Sequence, residues 1–93
     1  MTVAEQKVWE VFLDEVGDAV DKDYKENRSK YMEMETITFH ILTLENIIES
    51  IGLSWNLKLK LDKSFGIPEN SVDGFVNAMV FNAIRNVKNV FFE

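Results

Sequence analysis

His40 is the only histidine of the chain, and cysteine is absent. A hydrolytic triad would need a nucleophile and an orienting acid around that imidazole. A carboxylate-bridged iron site would need Glu-x-x-His spacing. Neither pattern occurs, so His40 reads as a partly exposed structural histidine. The run Asp21-Lys22-Asp23-Tyr24-Lys25-Glu26-Asn27 has the look of a calcium loop. It places Lys25 where an oxygen ligand belongs, Glu26 where the turn needs glycine, and Met32 where a bidentate acid should close the shell. The four glycines, Gly17, Gly52, Gly66 and Gly74, are scattered and form no phosphate-cradling loop. The residues therefore predict no enzyme, no metal and no cofactor.

What remains is charge. The formal net charge is -6, and residues 1–26 hold eight acids against three lysines. Glu10, Asp14, Asp18 and Asp21 recur at steps of four, four and three, which makes one ridge of a helix. Asp18–Lys22 and Asp21–Lys25 are spaced to pair, for a few tenths of a kcal/mol each; Glu10 and Asp14 have no such partner. A row of acids that the core does not need suits a basic protein partner. The opposite sign gathers in residues 54–68, where Lys58, Lys60 and Lys63 face Asp62 alone. Asn56, Lys58, Lys60 and Lys63 are the candidate nucleic-acid contacts. The acidic balance of the whole chain argues against general phosphate binding.

These residues need helices to position them. Hydrophobic residues are 46% of 93, enough for one domain over residues 1–93 with a core of its own. Thr2-Val3-Ala4-Glu5 is a capping box. Behind it Trp9, Phe12, Leu13, Val16, Val20 and Tyr24 make the inner face of a helix over about 3–25. Gly17 falls near that face and is expected at a close helix crossing. Met34, Ile37, Ile41, Leu44, Ile48 and Ile51 predict a second helix over 30–51. The β-branched stretch from Glu35 to Ile41 allows a strand near 34–42 instead. Gly52-Leu53 is expected to end the second helix in a left-handed turn. Ser54 would cap a third helix over 54–65, with Leu57, Leu61 and Phe65 inward and Leu59 a misfit. Gly66-Ile67-Pro68 stops it. A fourth helix over 70–88 has an apolar arc through Val72, Phe75, Val76, Met79, Val80, Ala83, Ile84 and Val87. A short strand near 87–92 is the alternative ending. The expected fold is all-α, a compact four-helix domain, with an α+β arrangement second.

A helix, a glycine turn and a locally basic helix make a helix-turn-helix pattern, whose second helix would enter a DNA groove. Ile51-Gly52-Leu53-Ser54-Trp55 and Lys60-Leu61-Asp62-Lys63-Ser64-Phe65 resemble the segment around the Gly-Leu-Asp-Trp element in the N-terminal domain of phage antirepressors. The likeness covers residues 44–65, with Ser54 in place of the usual acid. It implies a small regulator acting on another protein or on DNA, and a strand at 34–42.

The expected function is a small, acidic, non-enzymatic protein-binding module of inhibitor, immunity or regulatory-adaptor type, acting on a basic protein such as one that binds nucleic acid. A helix-turn-helix DNA-binding regulator using residues 54–65 is the alternative. The apolar circumference of the last helix predicts a homodimer, with Phe81 or Phe92 at the contact. Glu5, Lys7 and Glu10 interrupt any signal-peptide core, and no run reaches membrane-span length, so a cytoplasmic location is expected.

Overall fold

The structure, a computed structural model, describes the backbone of residues 1–31 and 34–92 and the side chains of residues 1–29 and 42–89. Three long helices carry the fold: α1 (Val3–Glu26), α3 (Met34–Leu61) and α4 (Glu69–Phe92). Between the first two sits the four-residue α2 (Arg28–Tyr31), and a 3₁₀ turn, Lys63–Phe65, follows α3. No strand occurs among the described residues. The described backbone near 34–42 and 87–92 is helical, so the α+β alternative is not what forms. The molecule extends 44 Å along its longest axis. That matches the roughly 42 Å expected of a helix as long as α3, at 1.5 Å per residue.

The capping box forms as the sequence predicts. Glu5 N donates to Thr2 Oγ1 and Thr2 N donates to Glu5 Oε1, both at 3.1 Å. The backbone hydrogen bond to Thr2 is the main reason the Glu5 carboxyl is held below its ordinary pKa. At the other end of α1, Asn27 closes the helix, its Nδ2 donating to the Asp23 carbonyl at 3.1 Å. The link after α1 is Asn27 alone, because Arg28 and Ser29 already belong to α2.

Gly52 overturns the expected division into four helices. No turn forms there: residues 30–51 and 54–65 are not two helices, and α3 runs unbroken through Gly52 and Ser54 to Leu61. A mid-helix glycine costs about 1 kcal/mol in propensity, but here it lets α4 approach. Gly52 is buried, and a β-carbon placed on it would collide with Cγ2 of Val80. Gly17, expected at a crossing, is exposed and has nothing within 4 Å of that position.

Continuity of α3 also fixes which leucines go inward. Leu44, Ile48, Trp55 and Leu59 are buried and share one face. Leu57 and Leu61, expected inside, are 60% and 75% exposed, and Leu59 is fully buried. An independent third helix could have chosen its own rotation. A continuous helix inherits the phase set by Leu44 and Ile48, about 100° per residue, and that phase turns Leu57 and Leu61 outward. The core is completed by Val8, Phe12 and Val16 of α1, by Ile67, and by Val72, Phe75, Val76, Met79, Ala83 and Val87 of α4. Trp9 and Phe75 pack with ring centroids 6.2 Å apart.

The helix expected to reach residue 65 ends earlier, at Leu61, and the 3₁₀ turn Lys63–Phe65 fills the space before Gly66-Ile67-Pro68. The Asp62 carboxylate accepts from Ser64 N at 2.9 Å and Ser64 Oγ at 2.6 Å, and these bonds lower its pKa. Gly66 adopts a left-handed φ of 76°, and its N–H donates to the Lys63 carbonyl. That reverses the chain, Ile67 enters the core, and α4 runs back along α3.

Candidate functional site

The acids of α1 stand on the side opposite Val8, Phe12 and Val16. At about 100° per residue, Glu10, Asp14, Asp18 and Asp21 form one ridge, and all four are exposed. Asp21 pairs with Lys25 at 2.9 Å. Hydrogen bonding to that carboxylate is the main reason the Lys25 pKa is raised. The expected Asp18–Lys22 pair does not form. Among the described residues Glu10, Asp14 and Asp18 take part in no ion pair or side-chain hydrogen bond. Glu15, just off the ridge, behaves differently. Its Oε2 accepts from Trp55 Nε1 at 3.1 Å, which satisfies the indole of a side chain only 3% exposed.

The basic set on α3 is engaged inside the molecule. The Lys58 ammonium lies 4.3 Å from the centroid of the Trp55 ring. Lys60 pairs with Asp73 at 2.9 Å, and Asn56 Nδ2 donates to the same carboxylate at 2.8 Å. The Asn56 hydrogen bond, then Lys60, lowers the Asp73 pKa. Lys63 pairs with Glu69 at 3.0 Å, and Lys88 of α4 pairs with Glu45 of α3 at 2.9 Å. The lysines of residues 54–68 therefore tie α3 to α4 and to its own tryptophan. Lys58 and Lys63 remain exposed, but with no turn at Gly52 no separate reading helix carries them.

No group of acids and histidines spaced for a metal ion occurs among the described residues. The side chains of His40 and Phe92 lie outside the described residues. Phe81 is 65% exposed on α4. A shallow groove of about 320 Å³ runs between α3 and α4, lined by Glu49, Gly52, Leu53, Asn56, Val76, Asn77 and Val80. No described helix is long and apolar enough to cross a membrane.

Local spacing does not anticipate an exposed leucine row, Leu53, Leu57 and Leu61, along the outside of α3. The signal is present all the same: carrying the phase of Leu44 and Ile48 past Gly52 places Trp55 and Leu59 inside and these leucines outside. No protein-family description, no curated protein and no solved structure matches the chain.

Proposed function

We propose that this chain is a non-catalytic interaction module that presents the outer face of α1 to a basic protein, in the manner of an inhibitor, immunity protein or regulatory adaptor. One observation carries the reading. Glu10, Asp14 and Asp18 stand exposed in line without partners among the described residues, whereas Lys60, Lys63 and Lys88 each already pair with an acid of the fold. Stability gives no reason for that row, because like charges four apart on a helix repel by a few tenths of a kcal/mol. Its benefit lies in encounter, where a charged face raises the rate at which an oppositely charged partner is captured. The helix-turn-helix alternative has no comparable support, since α3 runs without a turn through Gly52 and no separate helix presents Asn56, Lys58 and Lys60.

The test uses charge reversal. Glu10→Lys with Asp14→Lys should leave the circular dichroism unchanged. The wild type should retain a basic protein from native cell extract, and the double variant should capture that purified partner about tenfold more slowly at low salt, with a flatter salt dependence. Equal association rates for the two proteins at low salt would refute the assignment.

A further inference from the structure

Among the described residues, the outside of the second half of α3 carries a leucine row that packs on no other element. Leu53, Leu57 and Leu61 are 73%, 60% and 75% exposed, at steps of four along the side opposite the core. Phe81, by contrast, stands exposed on α4 with Asn77, Asn82 and Arg85 around it on the helix surface. Burial of apolar area drives association, so the leucine row is the stronger candidate for contact.

Charge points to the occupant. One acid and one lysine, Glu49 and Lys60, flank the row on the edge facing α4. With Lys58 on the other edge, the strip has no excess of acid although the chain has net charge -6, so two copies repel little there. The strip is also self-complementary. In a two-fold pair the same patch meets itself. Let two α3 helices lie antiparallel, with the two-fold axis passing at the level of Trp55. Leu53 of each copy then lies level with Leu57 of the other. Glu49 of each copy falls within one residue's rise, about 1.5 Å, of the level of Lys60 on the other, and on the same edge. A parallel pair would instead set the Glu49/Lys60 edge against the edge that carries Ser50, Ser54 and the exposed Lys58, leaving Lys60 beside a like charge within about 3 Å of its level and Glu49 beside none. The Lys60 side chain is 35% exposed and pairs with a single carboxylate, Asp73. An ammonium has three donors, so it can take a second.

We infer that the chain forms an antiparallel homodimer through the outer face of α3, with Leu53 and Leu57 at its centre and reciprocal Glu49–Lys60 contacts at its edge. A seam about 20 Å long and 10–12 Å wide buries roughly 500 Å² in all. That is below the ~1,200 Å² of stable complexes, so the dimer is weak and its mass depends on concentration, with a dissociation constant on the order of 10–100 µM.

Sedimentation of the full chain should show that dimer. Leu57→Glu should weaken it at least tenfold without loss of helix. Geometry is tested separately by cross-linking, because the chain has no native cysteine. Ser50→Cys and Leu61→Cys replace exposed residues on the edge away from Glu49. Mixed, these two variants should form the disulfide with each other faster than either does with itself. Ser50 of one copy lies close to the level of Leu61 on the other, whereas like positions lie about 15–18 Å apart along the seam. A monomer up to millimolar concentration, a dimer indifferent to Leu57→Glu, or faster self-linking of each variant would overturn the inference.

Discussion

Replacing Gly52 with alanine puts a methyl group where Cγ2 of Val80 already sits. Two effects of opposite sign follow. Alanine gains about 1 kcal/mol of helix propensity over glycine. Overpacking a fitted interface costs typically about 1–3 kcal/mol. The obstructing atom belongs to a β-branched side chain on a helix, which has one strongly preferred rotamer and cannot swing aside cheaply. Gly52→Ala should therefore lose about 0–2 kcal/mol net. Gly74→Ala is the internal control, because nothing lies within 4 Å of the added carbon; it should gain about 1 kcal/mol. The two substitutions are chemically identical, so the gap between them, about 1–3 kcal/mol, isolates the crossing. For a domain of this size that gap is on the order of 4–20 °C in melting temperature. Urea and thermal unfolding followed by circular dichroism read it directly. The double variant Gly52→Ala/Val80→Ala adds a second constraint. If the penalty arises at the α3–α4 contact, removing the Val80 methyls should recover at least about 0.5 kcal/mol beyond additivity. A left-handed turn at Gly52 would also make alanine costly, but without coupling to Val80. Equal stabilisation by the Gly52 and Gly74 substitutions, or no coupling, would refute the packing argument.

The Trp55–Glu15 bond and the Asp73 site give two further outcomes. Glu15→Ala leaves a buried indole donor without its acceptor and should cost about 1–2 kcal/mol in urea unfolding followed by tryptophan fluorescence, while Glu15→Gln, whose amide oxygen can still accept, should recover most of it. The Asp73 carboxyl is held below its ordinary 3.8, first by Asn56 and then by Lys60. Its folded pKa is thus below the unfolded one, so its contribution is present above the unfolded value and disappears as pH falls through the folded value. Carboxyl NMR should find that midpoint lowered, and Asn56→Ala and Lys60→Ala should each raise it toward the ordinary value.

The parts of the fold that depend on neighbours in sequence are legible in it. The Thr2–Glu5 box, the Gly66 turn and the inner face of α4 follow from spacing within one or two turns, as does that of α1 apart from Val8, which is buried while Trp9, Leu13, Val20 and Tyr24 are only partly so. Gly52 shows where such reading runs out. Glycine followed by leucine is a local helix-ending signal, and only contact with Val80, 28 positions away in the chain, makes continuing the helix worthwhile. Assuming a break there leaves Leu57, Leu59 and Leu61 without a phase reference and assigns them to the wrong sides. The candidate site divides the same way. The position of the acid ridge follows from helical periodicity. That Lys60 and Lys63 are tied to Asp73 and Glu69 depends on how α4 folds back, which residue spacing does not encode.

The links between helices differ greatly in the length of chain they close. The polar contacts joining α3 to α4 near their junction span 6 residues for Lys63–Glu69 and 17 for Asn56–Asp73, while Trp55–Glu15, which holds α1 to α3, spans 40. Closing a longer loop costs more entropy, and local contacts form sooner. Lys88–Glu45 closes a long loop as well, but α3 and α4 share the most extensive packing and the short links at their junction, so this hairpin is the unit expected to form first and α1 the element expected to dock last. The acid ridge rides on that detachable piece. A partner that grips α1 in its docked position would slow amide exchange along it, and the whole domain would become harder to open at its weakest joint.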